Sequence, residues 1–331
     1  MDGQVTPNAE LAEPAARIAS LLSAQKAAWV ADITPSHATR DDRLVRLDRM
    51  VEAWQERFTA AISEDFGNRS AVVTTLTDIV PVRTAIRHAR RHLKRWMRPR
   101  SVSLAWTGKP ASAVILRQPL GVVGIVAPWN YPLNLMLSPL TGALAAGNRA
   151  MLKPSELTPA FSEVLAKAIA ETFSEDEVVV VTGGPEVATA FTSAPFDHLI
   201  FTGSTAVGRK VAEAAAKNLT PVTLELGGKS PFLVFADADL DAAVAQAVNQ
   251  YDNAGQVCLA GTRLLVERGV YDVFLDRFLE RAGALRQGDP RRDDVDLGPL
   301  ITREHLERVD GFVRRAKEAG AKAVLGGGPN E

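Results

Sequence analysis

The chain's one cysteine, Cys258, is its only candidate for thiol chemistry. It closes the stretch Asn253-Ala254-Gly255-Gln256-Val257-Cys258, beyond an expected helix and beside a flexible glycine. An ionised thiol is a good nucleophile, and a polar turn next to a helix can lower its pKa. A lone cysteine more often fills a core position as a small hydrophobe, so it needs a base and an oxyanion donor nearby to read as reactive. Two residues are of the right type. Glu225 is a carboxylate in the otherwise apolar strand Leu224-Glu225-Leu226. Facing inward, it would have a raised pKa and be a usable base; a strand-edge pair with a lysine is the plainer alternative. Asn130, in Ala127-Pro128-Trp129-Asn130-Tyr131-Pro132, follows an apolar strand and precedes a helix. Its side chain could donate to an oxyanion or simply cap that helix.

A fourth feature suits an anion. The stretch from Phe201 through Thr202, Gly203, Ser204, Thr205, Ala206 and Val207 to Gly208 ends an expected strand and opens a helix. Small residues there let backbone N–H groups approach a phosphate at a helix N-terminus. The spacing is Gly-x-x-x-x-Gly, not Gly-x-Gly-x-x-Gly. A nucleotide-hydrolase P-loop is also excluded, because Arg209-Lys210 stand where it needs Lys followed by Ser or Thr. Gly228-Lys229-Ser230 has a P-loop ending, but Thr223 occupies the place of its first glycine. A structural helix cap explains the 203–208 turn equally well.

These residues need elements to hold them. Residues 11–22, 40–62 and 72–96 carry apolar side chains at three- and four-residue spacing and are expected to be helices. From about residue 112 the pattern becomes short β-branched runs alternating with helical ones. Strands are expected at 113–116, 122–126, 150–153, 177–181, 198–201, 222–226 and 232–235. Helices are expected at 133–146, 159–173, 185–192 and 205–218. Such alternation implies right-handed crossovers and a parallel sheet with helices on both faces, an α/β fold. A further set follows: helices at 240–251, 270–285 and 303–319, with strands at 263–266 and 322–325. A domain change is placed at 226/227, where a strand runs into Gly227-Gly228 and Pro231 blocks its continuation.

Composition narrows the class. At 331 residues, 46% hydrophobic and 23% charged, the chain can bury a sizeable core, so wholesale disorder is excluded. Thirty-eight basic against 39 acidic residues leave a net charge of −1, which excludes a generally polycationic nucleic-acid binder. No acidic residue occurs between Asp78 and Glu156, while Arg83, Arg87, Arg90, Arg91, Lys94, Arg95, Arg98 and Arg100 crowd together. That basic face reads as a solvated or subunit-contacting helix, since no nucleic-acid-binding motif accompanies it. His88 and His92 stand four apart without a carboxylate to join them, so no metal is expected. A single cysteine excludes an internal disulfide and points to a reducing compartment, the cytoplasm. Asp2, Glu10 and Glu13 interrupt the first thirty residues, and no secretory leader is expected. The longest apolar run, 133–146, is broken by Asn134, Pro139 and Gly142, and no membrane span is expected.

Taken in order, the stretches Pro128-Trp129-Asn130, Leu152-Lys153-Pro154-Ser155-Glu156, Phe201-Thr202-Gly203-Ser204, Leu224-Glu225-Leu226-Gly227-Gly228-Lys229-Ser230-Pro231 and Asn253-Ala254-Gly255-Gln256-Val257-Cys258 resemble the aldehyde dehydrogenase superfamily. The likeness extends from about residue 15 to the end, and its first two thirds look closest to coniferyl-aldehyde-type members. The resemblance implies a Rossmann-type cofactor domain with N-terminal helices over residues 1–226 and an incomplete α/β catalytic domain over 227–331. It implies oxidation of an aldehyde to a carboxylic acid with NAD or NADP. Cys258 would form a thiohemiacetal and then a thioester, Asn130 and the Cys258 N–H would hold the oxyanion, and Glu225 would activate water. Lys153 and Glu156 would bind the adenosine ribose. Trp129 and Ser204 would lie at the pyrophosphate, with Gly203 and Gly227 also lining the cofactor. The Glu-x-Phe-Gly-Pro segment of relatives is missing, as are the rest of their catalytic domain and their oligomerisation strand. A truncated, poorly active homologue is therefore expected. The rival readings are a nucleotide-binding remnant and a thioester-forming dehydrogenase, against which Glu225 argues. The resemblance implies a small aldehyde as partner and a family that is usually homo-oligomeric.

Overall fold

Regular spacing of apolar residues builds the opening helices of the computed structural model, which describes residues 7–330. The leader reading rests partly on Asp2, outside the described residues. Helix α1 (Pro7–Ala31) is followed by α2 (His37–Asp65), which buries Leu44, Leu47, Val51, Trp54, Phe58 and Ile62 on one stripe. The run expected at 72–96 is interrupted. It consists of α3 (Ala71–Thr74), a π-helical turn (Thr75–Ile79) and α4 (Val80–Trp96).

The basic face of α4 is less bare than its sequence suggests. Arg83 pairs with Asp48 at 2.9 Å and with Glu52 at 3.3 Å, and Arg90 pairs with Asp41 at 2.8 Å. The acids come from α2, so a search within α4 alone could not find them. His88, His92 and Trp96 cluster along one edge of α4, with the two imidazoles tilted at 4.2 Å and His92 stacked on Trp96 at 5.8 Å.

Contacts divide the chain into two compact units. The first joins the described residues up to Ile62 to Val72–Leu226. Here β1 (Arg100–Val102) pairs antiparallel with β2 (Ala113–Ile115) in a separate exposed ribbon. The strand expected at 113–116 is thus no part of the parallel sheet, and β1 was not foreseen. Then come β3 (Val122–Val126), α5 (Pro132–Ala145), β4 (Arg149–Lys153), α6 (Pro159–Thr172) and β5 (Val178–Val180). They are followed by α7 (Pro185–Thr192), β6 (His198–Gly203), α8 (Thr205–Ala216) and β7 (Val222–Leu226).

Strands β3 to β7 form one parallel sheet in the order β5-β4-β3-β6-β7. Every residue of β3 and β4 is buried, so both faces of the sheet's middle are covered. On one face Val122, Val126, Met151, Leu199 and Phe201 pack with Ile18 and Leu22 of α1, Val187 and Phe191 of α7, and Val211 of α8. The chain winds outward from β3 through β4 to β5, then returns to place β6 on the other side of β3. That reversal makes a switch point between β3 and β6, and ligands of open parallel sheets bind beyond the carboxyl ends of the strands at such a point.

The second unit joins Ser63–Ala71 to the residues from Gly227 onward. Strands β8 (Pro231–Val234) and β9 (Arg263–Val266) pair in parallel. Helices α9 (Leu240–Val248), α10 (Tyr271–Gly283) and α11 (Arg303–Glu318) complete it. Val234, Val244, Ala247 and Phe274 form its core with Phe232, Leu264, Val266 and Phe278. The opposite face of β8 and β9 is uncovered, leaving Leu233 and Leu265 more than half exposed. Two expectations fail here. The helix after Leu240 stops at Val248 and continues as a 3₁₀ segment, Asn249–Gly255. Residues 322–325 form no strand, for they are exposed and no neighbour pairs with them. Among the described residues, no helix is long and apolar enough to cross a membrane.

Candidate active site

Six of the sequence-derived positions, Trp129, Asn130, Lys153, Gly203, Ser204 and Glu225, lie at the carboxyl ends of four neighbouring strands. Strand β3 ends at Val126, whose Cα partners are Lys153 in β4 and Phe201 in β6. The chain continues through Ala127, whose N–H donates to the Lys153 carbonyl at 3.2 Å, into half-buried Pro128, Trp129 and Asn130. Helix α5 follows at once. Its N-cap position is Tyr131, so Asn130 does not occupy the capping position that its residue type suggested.

Lys153 is 1% exposed at the end of β4. Its ammonium donates to the Pro154 carbonyl at 2.9 Å and lies 3.3 Å from the Glu156 carboxylate, which is itself half exposed. A buried cation requires such partners. Glu156 is thereby held beside the strand end with free acceptor capacity.

Gly203 ends β6, and Ser204 caps α8 by accepting the Val207 N–H at 3.3 Å. The reason for Gly203 is partly internal. A Cβ there would meet the buried Phe201 ring at 2.5 Å. Gly227 has no such constraint, because a Cβ there would meet nothing.

Glu225 corrects one expectation. It pairs with Thr202 across the β6–β7 ladder, which sets it beside the end of β6. Yet it is exposed, as is Thr223, while Val222, Leu224 and Leu226 turn partly inward. The period-two alternation of an edge strand decides this, not a buried inward-facing position. No ion-pair or side-chain hydrogen-bond partner faces its carboxylate among the described residues, so the lysine pair is not formed either.

Cys258 belongs to the second unit, together with Gly227, and is exposed on a turn. Its carbonyl accepts the Gly228 N–H at 3.3 Å. The turn is braced on both sides by glutamines that sequence reasoning did not single out. The Gln250 side-chain oxygen accepts the Gly261 N–H at 2.6 Å, and Gln256, 7% exposed, bonds to Asn253 and Ile301. Between them Asn253, Ala254 and Gly255 all have positive φ, at 50°, 55° and 74°. A buried carboxylate, Asp78, was also passed over: its Oδ1 accepts the first N–H groups of α5. The signal was present, since residue 78 lies four before Val82 on the buried stripe of Val82, Ile86, Ala89 and Leu93.

The sequence profile of the aldehyde dehydrogenase family matches residues 3–331. The chain belongs to the aldehyde dehydrogenase family. It is 42% identical over 310 residues to a protein of Caulobacter vibrioides named probable coniferyl aldehyde dehydrogenase, covering 92% of this chain and 63% of the relative. It is 43% identical over 287 residues to the coniferyl aldehyde dehydrogenase of Pseudomonas sp. strain HR199, covering 85% of this chain and 59% of the relative. The chain thus spans about three fifths of the length of these relatives. The fold is also that of a betaine aldehyde dehydrogenase from Staphylococcus aureus solved in complex with NAD+, with a TM-score of 0.85 and 28% identity. That likeness covers 94% of this chain and 62% of the other. The family's parallel sheet is the α/β architecture expected from the alternation of strands and helices.

Proposed function

We propose that this chain carries the cofactor-binding and nucleophile-bearing parts of an NAD(P)-dependent aldehyde oxidation that yields a carboxylic acid. The observation that carries the reading is the gathering of Trp129, Asn130, Lys153, Gly203, Ser204 and Glu225 at the carboxyl ends of four adjacent parallel strands, around the switch point. Residues 1–226 would hold the dinucleotide, and residues 227–331 the reactive thiol.

The residues fit a dinucleotide. The capped N-terminus of α8 offers backbone N–H groups and a favourable dipole to a pyrophosphate. Lys153 and Glu156 together present a donor and an acceptor suited to ribose hydroxyls, and Glu156 favours a 2′-hydroxyl over a 2′-phosphate. The cofactor, when bound, supplies the hydride acceptor. The Cys258 thiolate would attack the aldehyde carbon and form a thiohemiacetal. The Asn130 side-chain amide and the Cys258 N–H would donate to its oxyanion, whose collapse leaves a thioester. Glu225, with an unpaired and solvent-accessible carboxylate, would take a proton from the water that releases the acid and restores the thiol. That same carboxylate favours hydrolysis over the thioester-forming alternative. The coniferyl names of two relatives make aromatic, propenal-type aldehydes the first substrates to test.

Coniferyl aldehyde and NAD or NADP, followed by reduced-cofactor absorbance, test this directly. Slow turnover is expected in the parent chain and none in Cys258→Ser. Iodoacetamide should label Cys258 rapidly, with protection by cofactor or aldehyde. Labelling that neither compound slows, with no turnover of any aldehyde, overturns the proposal.

A further inference from the structure

We propose that Asp78 is a positioning residue for Asn130, acting as a remote cap that fixes the start of α5. The inference rests on the reading of Asn130 as oxyanion donor. A helix start leaves its first N–H groups without intrahelical partners. In α5 the N-cap is Tyr131, whose side chain accepts no capping bond, and Pro132 has no N–H to satisfy. The next two N–H groups, of Leu133 and Asn134, both donate to Asp78 Oδ1, at 3.1 and 3.0 Å. The cap thus comes from a residue 55 positions earlier in the chain than Leu133.

Asp78 is fully buried, and a buried carboxylate is tolerated where donors and a favourable dipole meet it. The π-helical turn Thr75–Ile79 presents it there. A second bond ties the same two segments, from the Asn134 side-chain amide to the Thr77 carbonyl at 3.0 Å. Thr77 in turn donates to the Val73 carbonyl at 2.8 Å and lies 3.3 Å from Asp78 Oδ2. On the other side of Asn130 the chain is fixed by the bond from Ala127 to Lys153. Asn130 therefore lies between a strand end and a helix start, with only Tyr131 and Pro132 between it and the anchored residue Leu133. Proline's fixed φ leaves that link little freedom. Loss of the anchor would move Asn130 without altering any residue that meets substrate or cofactor.

The test uses Asp78→Ala and Asp78→Asn, each in the parent chain and in Asn130→Ala. Hydrogen exchange reads the anchor whether or not a preparation turns over. The amides of residues 129–131, 133 and 134 should exchange about tenfold faster in Asp78→Ala, and near the parent rate in Asp78→Asn, whose amide oxygen still accepts both bonds. In aldehyde oxidation, Asp78→Ala should lower kcat by about tenfold with the KM for cofactor unchanged. Asp78→Asn should restore most of it, and Asp78→Ala should cost nothing further in Asn130→Ala. Exchange unchanged at 129–131, or an equal loss of kcat in both backgrounds, overturns the proposal. Should Asp78→Ala not fold, Asp78→Asn decides: exchange at 129–131 as fast as in unfolded peptides would overturn it. If Asn130→Ala leaves turnover intact, the oxyanion reading of Asn130 fails instead, and exchange still reports on the anchor.

Discussion

Gln256 accepts the backbone N–H of Ile301 at 2.9 Å while its amide donates to the carbonyl of Asn253, also at 2.9 Å. One buried side chain thus joins the segment after α10 to the left-handed run that leads into the Cys258 turn. Backbone with three successive positive φ values is unfavourable on its own and needs outside bonds to persist. Replacing Gln256 by Ala leaves the Ile301 N–H without that acceptor, at a cost of about 1–3 kcal/mol. Chemical denaturation should register this, and exchange of the Ile301 amide should rise. Gln256→Glu keeps the acceptor and loses the donor, so it should fall between the two.

Glu177 contributes to the acid sensitivity of the first unit. Its carboxylate receives Arg43 at 3.0 Å and Arg46 at 2.8 and 2.9 Å, across from α2. Burial by itself would push its pKa up, but the bonds and charges of Arg46 and Arg43 outweigh burial and hold it below the ordinary glutamate value. A depressed folded pKa means stability that is present above the unfolded value and lost as the pH falls through the folded one. Melting temperature in the parent should therefore drop below about pH 4. Glu177→Gln should unfold about 3 kcal/mol more easily at neutral pH, and its melting curve should lose part of that acid dependence.

Cofactor choice should depend on Glu156. In Glu156→Gln the negative charge facing a 2′-phosphate disappears, so the ratio of NADP to NAD efficiency should rise by roughly tenfold. Lys153→Met removes the buried ammonium that holds Glu156 and should weaken both cofactors, by about tenfold or more in titration calorimetry. A Lys153→Met protein that binds both as before would remove Lys153 from the cofactor site.

Gly203 should resist enlargement for a packing reason. A methyl group there would meet the buried Phe201 ring, 5% exposed, at 2.5 Å. Gly203→Ala should cost about 1–3 kcal/mol in unfolding. Gly227→Ala, with open space around it, should cost little as far as contacts go.

Strands β3 through β9 were legible because each is a short run rich in apolar residues, β-branched above all in β3 and β5, and several chemistry-bearing motifs fell at the ends of β3, β4, β6 and β7. The inward facing expected of Glu225 was wrong, although the residues carry the sign against it. Thr223 and Glu225 alternate with Val222, Leu224 and Leu226, and that alternation outweighs the apolar average of the strand. Asp78 was harder. Its register with Val82 marks it as buried, but the partner it caps lies on an element far along the chain and has no mark in the local sequence. The β1–β2 ribbon was misread because β1, Arg100-Ser101-Val102, has neither length nor hydrophobicity, and β2 needs it as a neighbour. Pairing of Arg83 and Arg90 with α2 was hidden for the same reason, since charge patterns within one helix do not reveal acids on another.

The bare side of β8 and β9 makes the two units respond differently to solvent. Salts that strengthen apolar association will favour self-contact through Leu233 and Leu265, and dilute urea will oppose it. In the first unit the central strands are covered on both sides and exposed strand surface is confined to the short β1–β2 ribbon, so light scattering against ammonium sulfate should track the second unit more than the first.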